Sequence, residues 1–184
     1  MDSVRRRYGE AGLEVMNVYN PDFLFGREKR SEDCFFGDYP TLSELDRRYG
    51  KRFSAAWLMV QLHDLSEYCG CHEKLSGRQL QQCAIVMAAD FCYLKVTEFL
   101  LFFRRFKSGI YGRFYGAVDP LVITVSLREF LNDRSVAIER HEQEERRREK
   151  DEWGRKAVSY EQYLLIRKLA KEGDEEAKKM KNKK

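Results

Sequence analysis

Cys69-Gly70-Cys71-His72 is where side chains able to ligate a metal or attack a carbonyl crowd together in this chain, with His63 six residues earlier and Cys34 upstream. Zinc takes thiolate and imidazole ligands in tetrahedral sets, but its cysteines usually come as two C-x₂₋₄-C pairs. Cys-x-Cys-His is off that spacing and no second pair answers it, so the plain reading is a loop of reduced thiols joining two helices. A cysteine nucleophile at position 69 or 71 would need a base, a third orienting group and an oxyanion site. The three histidines, His63, His72 and His141, stand in no motif that supplies them. There is no P-loop, dinucleotide fingerprint, G-x-S-x-G or H-E-x-x-H. No catalytic residue, metal or cofactor is therefore expected, and the protein reads as a non-enzyme.

A different chemistry is carried by Arg104-Arg105-Phe106-Lys107-Ser108-Gly109-Ile110-Tyr111-Gly112-Arg113-Phe114-Tyr115-Gly116. Four cations and three glycines interleave with aromatic rings, and the first acid is Asp119. Arg104, Arg105, Lys107 and Arg113 could neutralise phosphates, a sequence-independent and salt-sensitive mode of binding. Tyr111, Phe114 and Tyr115 could stack on unpaired bases. The same seven residues would equally suit a protein partner, with rings in pockets and cations around them. The bland alternative is a turn whose rings tuck against the core and whose cations stabilise a helix C-terminus.

Bulk properties set limits on all of this. At 184 residues the chain is long enough for one domain with a real core, and 43% hydrophobic residues argue against wholesale disorder. A formal net charge of +4 is too mild to demand nucleic acid, so the placement of charge decides. The stretch Ala84 to Phe103 is interrupted by Asp90, Lys95 and Glu98, which favours buried helices over a membrane span. Met1 to Tyr8 has arginines but no apolar run behind them, and five cysteines form an odd set. Both point to a cytoplasmic protein with free thiols.

The elements that must hold the basic loop are helices. Residues 1–40 show no sustained period and read as an irregular arm with a short helix near 8–18. Thr41 and Glu44 match a capping box that opens a short helix over 42–48. Ala55, Leu58, Leu62 and Leu65 mark a helix from Phe53 to Tyr68, and Leu80, Cys83, Ala84, Met87 and Phe91 mark another capped by Ser76. Tyr93 to Lys107 is apolar on nearly every side at its centre, as suits a helix with neighbours all round. After the loop, Asp119-Pro120 reads as N-cap and first helical residue. That helix continues past Ile138 into Arg-Glu repeats without an apolar stripe. Ser159 and Gln162 suggest a last capped helix through Ala170, followed by a disordered Lys-rich tail. The expected fold is all-α: an arm over 1–40, a compact helical bundle over 41–138, a charged helical extension over 139–172 and a tail over 173–184.

Tyr93-Leu94-Lys95-Val96-Thr97-Glu98 through Phe102-Phe103, then Lys107-Ser108-Gly109-Ile110-Tyr111-Gly112 and Tyr115-Gly116, then Asp119-Pro120, form one extended motif. In it the chain resembles a family of uncharacterised helical proteins from Bacteroides-type bacteria and their mobile elements and phages. The likeness covers about residues 76 to 135. It implies an accessory role in DNA replication, as an adaptor without a motor, with single-stranded DNA or a replication protein as partner and no membrane. The alternative within the same setting is a protein-interaction module of a mobile element or phage that touches no nucleic acid.

Overall fold

The structure, a computed structural model, describes residues 7–9, 11–25, 31–156 and 160–172. Ser159 and the Lys-rich tail lie outside the described residues. The described residues form eight helices: α1 (Leu13–Val18), α2 (Ser31–Phe36), α3 (Leu42–Tyr49), α4 (Phe53–Tyr68), α5 (Gly77–Asp90), α6 (Val96–Lys107), α7 (Pro120–Lys156) and α8 (Tyr160–Lys171). Among them there is no β-strand, and two isolated bridges, Thr41 with Lys95 and Glu73 with Ala117, pin connectors together. The fold is all-α. It divides into two compact units, Met1–Ile138 and Glu139–Lys184.

The helix starts are written in local chemistry. At α3, the Thr41 hydroxyl accepts from the Glu44 amide at 3.2 Å while the Glu44 carboxylate accepts from the Thr41 amide at 2.8 Å. Ser76 and Gln79 repeat the arrangement at α5. Each device satisfies two amides that the first helical turn leaves without partners. At α7, Asp119 Oδ1 accepts from the Leu121 amide at 2.8 Å. The start of α4, expected at Phe53 from the apolar spacing, has no side-chain cap of its own. Its preceding residue, Arg52, is left-handed (φ 76°), and Asp46 on α3 accepts from both the amide and the hydroxyl of Ser54, at 2.8 Å each. A side chain one helix back thus does the work of a cap.

Helix α6 lies at the centre of the first unit, with every residue from Val96 to Phe103 buried. Around it stand Trp57, Leu58, Leu62 and Leu65 of α4, Met87 of α5, and Ile123, Leu127 and Phe130 of α7, all fully or nearly fully buried. The buried set includes a charge. Glu98 has no exposed side-chain surface; its Oε2 accepts from the Lys95 amide at 2.7 Å and its Oε1 accepts from Arg134 Nε on α7 at 2.5 Å. One carboxylate both opens α6 and ties α7 to it.

The stretch before residue 41 differs from the expected irregular arm. Gly9 and Gly12 both take positive φ, so the helix expected near 8–18 is broken and α1 starts only at Leu13. More consequentially, Tyr8, Val15, Tyr19, Phe23, Leu24, Cys34 and Phe35 are core residues. The Tyr19 carbonyl accepts from Trp57 Nε1 at 2.9 Å and from Gln61 Nε2 at 3.1 Å, and the buried Tyr8 and Tyr19 hydroxyls bond one another. Burial is the main force that pushes the Tyr19 phenol far above its ordinary range. Lys95 Nζ donates to the carbonyls of Phe35 and Gly37 at 2.7 and 2.9 Å, and Thr97 donates to that of Cys34. Polar side chains of α4 and α6 capture the early backbone by its carbonyls, which no period in the sequence could announce.

In the second unit α8 has no buried residue. No helix among the described residues is long and apolar enough to cross a membrane.

Candidate nucleic-acid or partner interface

The basic loop joins α6 to α7 and is wound into successive turns. The amides of Ser108, Gly109, Ile110 and Gly112 donate back to the carbonyls of Arg104, Phe106, Arg105 and Gly109. Its exit is strapped to the thiol loop, where the Glu73 amide donates to Gly116 and the Val118 amide to Glu73, at 3.2 and 3.0 Å. Gly109, Gly112 and Gly116 all have positive φ, and nothing lies within 4 Å of where a Cβ would stand. These glycines serve the turns of the backbone, not a close approach by another part of this chain.

The seven expected contact residues separate into two groups. Lys107 is nearly buried: its Nζ bonds Asp64 of α4 and lies 5.3 Å from the Tyr68 ring centroid and 5.5 Å from that of Phe25. Arg105 meets Asp133 of α7 at 3.2 Å and covers the ring of Phe130. Phe114 stacks on Phe106 with centroids 5.2 Å apart, and Tyr111 packs against Phe102 and Phe106. The Tyr111 hydroxyl is buried and makes no hydrogen bond of ordinary geometry among the described residues. Burial raises its pKa, and the nearby Arg105 guanidinium opposes that only in part. These four side chains are committed to the fold.

Arg104, Arg113 and Tyr115 are not. All three are exposed, Tyr115 at 91%, and among the described residues neither arginine has an acidic partner. Between the loop and the end of α4 lies an open cleft of about 360 Å³, lined by Tyr68, Cys69, Phe106, Lys107, Arg113 and Phe114 together with loop backbone. Tyr68 and Phe25 are both exposed, at 60% and 53%, and flank Lys107. Sequence reasoning missed both, because Tyr68 and Phe25 come from segments 39 and 82 positions before Lys107 and only tertiary packing brings them there. The one available hint was that Tyr68 ends its helix just ahead of Gly70 and Cys69 of the thiol loop.

The thiol loop takes up one edge of this cleft. Cys71 Sγ donates weakly to the Cys69 carbonyl at 3.8 Å, and burial raises the Cys69 thiol above its ordinary pKa. Burial likewise pushes Cys83, inside α5, up to about 11. A raised pKa keeps a thiol protonated and poorly nucleophilic. Among the described residues no group of three or more His, Cys, Asp or Glu side chains comes together in a metal-holding arrangement.

A profile for a family described as "Family of unknown function (DUF6633)" matches residues 74–175, more than half of the chain. The chain belongs to this family. The matched span of the DUF6633 family takes in α5, α6, the basic loop, α7 and all of α8, and begins just after Cys69, Cys71 and His72. No curated protein matches the chain, and no solved structure does.

Proposed function

We propose that the protein is a non-enzymatic adaptor that contacts single-stranded nucleic acid through the loop between α6 and α7, in the setting of DNA replication. The observation that carries this reading is the exposure of Tyr115, at 91%, and of Arg113 two residues before it in the loop, with Arg104 also exposed in the last turn of α6 and neither arginine paired with an acid among the described residues. An aromatic ring held in water by a loop of ordered turns is a stacking platform, worth about 1–3 kcal/mol per base. The replication setting rests on the motif resemblance and on nothing in the geometry.

Magnitudes shape the proposal. With four free cations the logarithm of affinity would fall with the logarithm of salt at a slope of about −2.8; with two it falls at about −1.4. Arg105 and Lys107 are taken by Asp133 and Asp64, so the shallower slope is the expectation. Binding of that kind is weak, which suits an adaptor acting inside a larger assembly. Fluorescence anisotropy with a labelled single-stranded oligonucleotide, over a range of salt, measures both quantities. Arg104→Ala with Arg113→Ala should abolish binding while the circular dichroism spectrum stays unchanged, and Tyr115→Ala should weaken it about 5- to 150-fold. Wild-type protein that does not bind, or binds equally after these changes, sinks the reading.

A second reading has its own support in the cleft beside the loop, walled by Tyr68, Phe106 and Phe114 with Lys107 among them. An open cleft with aromatic walls and the cations Lys107 and Arg113 in its lining suits an anchoring side chain of a protein partner. Salt-independent capture of a replication protein, with no affinity for the oligonucleotide, would select that reading.

A further inference from the structure

The charged end of α7 is segregated by sign along its length. Residues 139–145 carry four acids against one cation, a net −3 with His141 neutral, whereas residues 146–156 carry six cations against three acids, a net +3. Within the helix some of this is paired, as with Glu142 and Arg146 at 3.3 Å, but those side chains remain more than half exposed. The same unit also presents apolar surface. Trp153 is 79% exposed, and α8 leaves Tyr160, Tyr163, Leu164, Leu165 and Leu169 exposed. On a helical wheel Glu161, Arg167, Lys168 and Lys171 gather on one side of α8, and Tyr163, Leu165, Ile166, Leu169 and Ala170, with Gln162 among them, form the opposite, largely apolar face.

We propose that this C-terminal unit is a self-association surface, and that its occupant is a second copy of the chain docked antiparallel about a two-fold axis. In a two-fold interface the same patch meets itself, so residue i touches j and j touches i. Antiparallel docking lays the −3 segment of each copy along the +3 segment of the other, twice over. Parallel docking would set like charge against like charge throughout. A binding partner of one sign fits half of this surface and is repelled by the other half, whereas a second copy matches both. Exposed ion pairs are individually weak and give orientation more than affinity. The affinity comes from burying Trp153 and the apolar face of α8.

Sedimentation equilibrium of the full chain, freed of nucleic acid and run near 100 µM in low salt, tests this. The expected result is a species of twice the 21.9 kDa chain mass, whose dissociation constant rises at least tenfold when Arg146, Arg147 and Arg148 are all changed to Glu. The converse set, Glu142→Lys, Glu144→Lys and Glu145→Lys, should weaken it equally. An equimolar mixture of the two variants should restore the dimer, because one is then acidic and the other basic along the whole segment. Leu165→Ser with Leu169→Ser should also dissociate it, and since both leucines are exposed the helical content of the first unit should not change. A monomeric wild type, a dimer indifferent to either charge set, or two monomeric variants that fail to pair when mixed overturns the proposal. None of these results bears on the loop between α6 and α7, so the two proposals stand or fall separately.

Discussion

Glu98 shows how one side chain can bear on several elements. It is buried without exposure, caps α6 through the Lys95 amide and holds Arg134 of α7. Removing one partner of a buried pair costs about 3–5 kcal/mol, because the survivor is left as an uncompensated charge. The two partners are not equivalent, since Arg134 is 24% exposed and can turn toward water while Glu98 cannot. Arg134→Met should therefore cost about 3–5 kcal/mol. Glu98→Gln, which keeps an acceptor for the Lys95 amide and leaves an arginine near solvent, should cost less, about 1–3 kcal/mol. Urea unfolding of the two variants measures the order; Glu98→Gln proving the more damaging would mean the pair is not arranged as described. Lys95, Glu98, Phe102 and Phe103 also belong to the extended motif between Tyr93 and Pro120. Lys95 gathers the carbonyls of Phe35 and Gly37, and the two phenylalanines are core. That half of the motif builds α6 into the bundle, whereas the half after Lys107 holds the exposed Arg113 and Tyr115.

Among the elements, the glycines separate two uses of the same residue. Gly12 has φ 70°, and a Cβ there would come within 2.7 Å of Cε2 and 2.9 Å of Cζ of Phe53. Gly112 has φ 96° with open space in the same position. Left-handed backbone costs an L-residue about 1–2 kcal/mol, and Gly112→Ala should lose no more than that. Gly12→Ala adds a clash with a ring packed against the core, and should lose about 3 kcal/mol in all. Equal urea midpoints for the two variants would show that the packing of α1 against the start of α4 is looser than drawn. Helices α3, α5 and α7 were legible from Thr41–Glu44, Ser76 and Asp119, because caps are contacts within four residues. The span of α4, Phe53 to Tyr68, was legible from its apolar spacing, but what caps its start was not, because Asp46 reaches it from the helix before.

The whole first unit depends on the residues ahead of α3. Tyr19, Val15, Phe23 and Leu24 lie in the core, and the Tyr19 carbonyl receives both Trp57 and Gln61. Losing several large core side chains, each worth about 2–5 kcal/mol, exceeds the usual stability of a domain of this size. Deleting residues 1–25 should abolish cooperative unfolding and shift the fluorescence of Trp57 to the red, read in a Trp153→Phe background that silences the exposed indole. An unshifted spectrum with a sharp transition would show that these residues are dispensable.

Composition, cap residues and the spacing of apolar side chains were sufficient by themselves for the all-α class and for most helix positions from Thr41 onward, since those depend on neighbours one to four positions apart. The basic loop was legible as a run of residue types. Which of its side chains face water was not. Lys107 and Arg105 are withdrawn by Asp64 and Asp133, 43 and 28 positions away in the chain, and Tyr111 and Phe114 by the ring of Phe106. The early segment joined the core in the same way, through carbonyls captured by Trp57, Gln61, Lys95 and Thr97. Charge neutralisation and burial are settled by whatever lies within a few ångströms in space, and that distance exists only once the chain has folded.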